Sequence, residues 1–131
     1  MPRVSRWGLL ALCVALISVG CPLGLTYKNV SVSEGYTMWQ QGTFVLDVRT
    51  AAEYASGHIS DAYNIDVNDL GTRMGEIAHL KNTEMLVNCK AGSRSAQACR
   101  QLVEAGFTEV NNLLGGYDAW VAAGYPTETG P

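Results

Sequence analysis

The sequence predicts an α/β fold in three layers, a central and mainly parallel sheet with helices on both faces. Three observations carry this. Short apolar runs and helical periods alternate along residues 26–131, the order that builds parallel sheets. Two of the runs, "TFVLDV" (Thr43–Val48) and "TEMLVNC" (Thr83–Cys89), have continuous apolar centres, Phe44–Leu46 and Met85–Val87, as strands covered on both faces do. Cys89 ends the second run, and a helix opens shortly after it. In such sheets, sites form beyond the carboxyl ends of the strands.

Residues 1–25 read as an address rather than as fold, a signal peptide or membrane anchor. Arg3 and Arg6 precede an uncharged run from Trp7 to Leu25, the pattern of a secretory signal. A core helix would show a polar face, and this run has none. Three outcomes stay open: cleavage near Gly20, lipidation of Cys21, or a membrane span. "SVGC" resembles a bacterial lipoprotein box, with Ser18 where that box usually has Leu. The run is also about as long as a bilayer span needs, with Arg3 and Arg6 then on the cytoplasmic side. Each outcome exports the domain to a periplasmic or other extracytoplasmic space, and two attach it to a membrane.

Residues 26–131 then form one domain. "YKNVSVSEGYTMWQQG" predicts a short strand and a helix from Ser33, its cap, to Gly42. "TAAEYASG" predicts a helix capped by Thr50, with Glu53 at its third position and Gly57 past its end. "AYNIDV" predicts a strand, and Asn68–Leu80 a helix weakened by Gly71 and Gly75. Ser95–Gly106 carries the strongest helical period, with Ala98, Leu102, Val103 and Ala105 on one side. "TEVNNL" predicts a strand, and "GYDAWVAAGYP" a helix stopped by Gly124 and Pro126.

The totals narrow the function. The 131 residues carry a net charge of −3, without the basic face that nucleic-acid binding requires. The four cysteines, Cys13, Cys21, Cys89 and Cys99, match neither a disulfide framework nor a zinc-ligand spacing.

The chemistry concentrates in "CKAGSRS", Cys89–Ser95. Gly92 allows a tight turn, and loop N–H groups turned inward at a helix start form an anion nest. Lys90 and Arg94 add positive charge, and Ser93 and Ser95 can donate to the sulfur or to a bound anion. Such a field lowers a thiol's pKa and makes a nucleophile of it. The C-x5-R loop of phosphatases is one residue longer. The C-x4-R spacing here makes a smaller bowl, better matched to a terminal sulfur than to a phosphoryl group.

Three segments together resemble the rhodanese family of sulfurtransferases over about residues 29–126. "FVLDVRTAAEYASGHISDAYNI" is similar to the family's first motif, "VNCKAGSRSAQAC" to its active-site loop entering a helix, and "NNLLGGYDAWVAAGYP" to its closing segment. The resemblance implies a rhodanese-like fold and a ping-pong transfer of sulfur through a persulfide on Cys89. Lys90, Ala91, Gly92, Ser93, Arg94 and Ser95 would bind a small anionic donor such as thiosulfate, and cyanide or a thiol would accept the sulfur. The resemblance implies no metal or organic cofactor, and a monomer is expected.

Asp47, Arg49, Glu53 and His58 are expected to form structural support, with Arg49 paired to Glu53 or Asp47 and His58 a hydrogen-bonded turn residue. His79 is expected at the surface. Cys99 is either a packing residue or a resolving thiol. Gly115 and Gly116 suit a strand-to-helix turn or a close backbone approach to the loop. Two other functions use the same loop: a phosphatase-like or arsenate-reducing enzyme, and a persulfide carrier or redox module with little turnover.

Overall fold

The apolar runs become neighbouring strands of one sheet. A computed structural model describes residues 26–131; the candidate signal or anchor, with Cys13 and Cys21, lies outside the described residues. Strands β1 (Lys28–Val30), β2 (Phe44–Asp47), β4 (Tyr63–Asn64), β5 (Met85–Asn88) and β6 (Val110–Leu113) pair in the order β1-β6-β5-β2-β4. Every pairing in this sheet is parallel. Register sets Asp47 beside Asn88 and Val87 beside Asn112, so β2, β5 and β6 end at one edge. Between them lie helices α1 (Val32–Gln40), α2 (Ala51–Ser56), α3 (Leu70–Arg73), α4 (Ser93–Glu104) and α5 (Gly116–Ala122).

Period-two alternation divides the strand side chains between two cores. Leu46, Met85, Val87 and Cys89 face the layer holding α4, with Leu102 and Phe107. Val45, Leu86 and Leu113 face the other layer, with Met38 of α1 and Trp120 of α5. Both faces are dry, which is why β2 and β5 read as apolar runs up to Asp47 and Asn88 at their ends. Full burial of each large side chain contributes about 1.5–3 kcal/mol. Trp120 also satisfies its one polar atom, its indole N–H donating to the Pro126 carbonyl at 2.8 Å.

Four local features differ from the sequence expectation. Ser31, not Ser33, caps α1, its hydroxyl accepting from the Glu34 N–H. Residues 67–80 form no single helix but two 3-10 stretches, Val67–Asp69 and Met74–Leu80, around the short α3. Gly71 and Gly75 lower the helix propensity there, and burial of Leu70 and Ile77 holds the segment instead. The "AYNIDV" strand shrinks to Tyr63–Asn64. A second, two-stranded sheet joins β3 (His58–Ile59) antiparallel to β7 (Thr127–Glu128), two residues apiece and too short for a sequence period.

Candidate active site

Cys89 follows the last residue of β5, and Gly92 turns the chain into α4 with φ at +120°. A left-handed φ of this kind favours glycine. The bend folds the loop over the Cys89 side chain, which is 1% exposed. The Gly92 N–H donates to Sγ at 3.0 Å, and the Ser95 hydroxyl lies 3.3 Å from Sγ. Burial pushes the thiol pKa up. The Ser95 hydroxyl and the amides of Ser95, Gly92 and Ala91 outweigh it, so the thiol sits below its ordinary value. Ser95 also reaches the Gly92 carbonyl, donating at 3.0 Å. Its single proton therefore has two acceptors, the carbonyl beside a thiol or the sulfur of a thiolate.

The start of α5 supports the loop from behind. Tyr117 N–H donates to the Cys89 carbonyl at 2.8 Å and Asp118 N–H to the Lys90 carbonyl at 3.0 Å. Gly116 makes this approach possible: a Cβ there would stand 2.5 Å from the Cys89 carbonyl oxygen, and φ is +58°. The close-approach reading of the Gly-Gly pair is the one the geometry takes.

Beneath lies a buried ion pair. Asp47 Oδ2 accepts from Arg49 Nη2 at 2.7 Å, and Oδ1 accepts from the Arg49 amide at 2.9 Å. The same Nη2 donates to the Gly57 carbonyl at 2.7 Å, and the guanidinium covers the Tyr117 ring at 4.3 Å. Arg49 thus ties β2, the end of α2 and α5 together. His58 Nδ1 lies 2.7 Å from the Tyr54 carbonyl oxygen and Nε2 3.2 Å from Glu128 Oε1, with the ring stacked on Tyr54. Both nitrogens are engaged away from the sulfur. His79 is exposed.

The electrostatic expectation needs correction. Arg94 does not point its charge freely into the bowl: its guanidinium donates twice to the Glu53 carboxylate, at 2.7 and 2.9 Å. Arg94 holds the Glu53 carboxyl down at about 2. Glu53 also closes a capping box with Thr50, so α2 fixes the acid that fixes Arg94. Lys90 pairs with Asp118 at 2.9 Å. Ala91 and Ser93 are exposed, and among the described contacts Ser93 makes none to the sulfur. Hydrogen bonds, rather than free cations, account for the lowered thiol. Tyr117 reads from the sequence as a core or rim residue, whereas its amide contact with the loop and the whole of Asp118 escaped the sequence reading; only the Gly-Gly pair before them signalled an approach to the loop.

Cys99 lies in the core on the inner face of α4. Burial first, then the Cys89 charge, pushes its thiol up to about 12, so it packs as a small apolar group. Both cysteines are free.

Known proteins share this architecture. Residues 31–123 match the family model described as Rhodanese-like domain. A protein from Allochromatium vinosum named Sulfurtransferase is 38% identical over 86 residues, covering 66% of this chain and 78% of its own. Thiosulfate sulfurtransferase 18 of Arabidopsis thaliana is 35% identical over 113 residues, covering 77% and 83%. The crystal structure of a rhodanese-related protein from Thermoplasma volcanium superposes with a TM-score of 0.70 at 28% identity, covering 78% of this chain and 98% of that one. The chain belongs to the rhodanese-like domain family, among whose members are these proteins named sulfurtransferases.

Proposed function

We propose that the protein is a thiosulfate-type sulfurtransferase that carries sulfane sulfur on Cys89 to a thiophilic acceptor. The observation that supports this most directly is the Cys89 sulfur inside its own loop, 3.0 Å from the Gly92 amide. A plant relative bears thiosulfate in its name. The Cys89 thiolate attacks the outer sulfur of thiosulfate. The donor's S–S bond breaks, sulfite leaves with the electron pair, and Cys89 becomes a persulfide anion. The loop amides hold that anion, as an oxyanion hole holds oxygen. Cyanide or a thiolate then attacks the terminal sulfur, leaves as thiocyanate or a new persulfide, and restores the Cys89 thiolate. A thiolate poised in this way needs no general base.

Intact mass after incubation with thiosulfate tests the chemistry. One added sulfur on Cys89 is expected, none on the Cys89→Ser variant, and most of the activity retained in Cys99→Ser. Sulfur on Cys99 instead, or none at all, overturns the reading. Steady turnover of thiosulfate and cyanide to thiocyanate separates the enzyme from a carrier that only loads once. Residues 1–25 act, in the same proposal, as a signal or anchor that exports the single domain 26–131. A basic, then uncharged, N-terminus supports it. The mass of the N-terminus from cells distinguishes cleavage, lipid on Cys21 and an intact anchor; an uncleaved, unlipidated chain in the soluble cytoplasmic fraction overturns export.

A further inference from the structure

The two loop cations are gripped unequally. Arg94 meets Glu53 through two hydrogen bonds, with side chains 34% and 31% exposed, and Glu53 is itself fixed by its capping box. Lys90 meets Asp118 through one contact of 2.9 Å, with side chains 61% and 53% exposed. An exposed pair of this kind favours its closed state by about fivefold at most. Arg94 is a clamp between the loop and α2, whereas Lys90 can leave its partner. Asp118 cannot drift far from it, because its own N–H donates to the Lys90 carbonyl at 3.0 Å. A third carboxylate, Asp66, also lies close enough to act on the Arg94 charge. Carboxylates therefore balance the rim around a sulfur that needs an anion delivered to it.

We propose that Asp118 sets the donor preference of the site: it occupies Lys90, the one loose loop cation among the described residues, and so weakens capture of dianionic sulfur donors relative to monoanionic ones. Asp118 is a positioning residue that acts through Lys90. It competes with a donor for that ammonium and repels the donor with its own charge. Repulsion and competition both grow with donor charge, so a dianion loses more than a monoanion. The inference rests on the sulfur-transfer reading above.

The test compares the full-length wild type with Asp118→Asn, Asp118→Glu and the double variant Lys90→Gln/Asp118→Asn. Thiosulfate serves as the dianion, benzenethiosulfonate as the monoanion, and cyanide as the acceptor. Asp118→Asn is expected to lower KM for thiosulfate about two- to fivefold at low salt, with kcat unchanged. The fall for benzenethiosulfonate is smaller, and both shrink in about 0.5 M salt. Asp118→Glu keeps the wild-type KM, and the double variant loses the gain. An unchanged KM, an equal change for both donors, or a change in kcat alone overturns the proposal. A wild type that loads sulfur on Cys89 while Asp118→Asn changes nothing removes this inference only; a wild type that loads none removes both.

Discussion

At the scale of single residues, the lowered thiol depends on Ser95 as much as on the loop amides. Its hydroxyl is the largest lowering influence on Cys89, and no other side chain stands at the sulfur among the described contacts. Ser95→Ala is expected to raise the thiol pKa and move the rising limb of the pH–rate profile to higher pH. At pH 7, alkylation by iodoacetamide then slows by about tenfold, the effect of losing a hydrogen bond to a charged group. An unshifted profile would assign the whole effect to the amides. Cys89, the loop glycine and the serine were all legible, because their types are specific and lie within seven residues. Their charge partners were not. Glu53 lies 41 positions from Arg94 and Asp118 lies 28 from Lys90, and a single sequence carries no signal for ion pairs across such distances.

At the scale of elements, the candidate site is the meeting of three helix termini with one strand end. Helix α4 supplies amides to the sulfur, α2 supplies the acid that holds Arg94, and α5 supplies the N–H groups that hold the loop carbonyls. The α5 contact leaves no room for a side chain at Gly116. Gly116→Ala places a methyl group within 2.6 Å of the Lys90 carbonyl oxygen and demands a left-handed φ from alanine. It is expected to cut sulfur transfer by at least about tenfold and to destabilise the domain by about 1–3 kcal/mol, read by turnover and urea unfolding. Wild-type activity in this variant would mean that the loop does not need α5. The buried strands and α4 were readable because both-faced burial and a clean helical period leave strong patterns. The segment 67–80 was not, since its order comes from Leu70 and Ile77 entering the core while its glycines weaken the period.

At the scale of the whole molecule, the acid limit of the fold is set in part at the site itself. Glu53 titrates at about 2 rather than at its ordinary 4.5. A depressed carboxyl stabilises the folded state fully above the unfolded value and loses that contribution as pH falls toward the folded one. Glu53→Gln is therefore expected to lower Tm by about 4 °C at pH 7. The gap to wild type should close between pH 4.5 and 2, as followed by circular dichroism. A gap that persists at pH 2 would point to packing rather than charge. The three-layer order of the fold was visible in the alternation of runs, whereas the β3–β7 ribbon, which brings Glu128 to His58, was not. The hold of α5 on the Cys89 carbonyl has one more consequence. Before α5 docks, nothing holds the loop carbonyls, so an unfolded chain carries an ordinary, sluggish thiol. The sulfur becomes reactive only once Gly116 and Tyr117 have docked on the loop, which protects an unfolded molecule from premature oxidation.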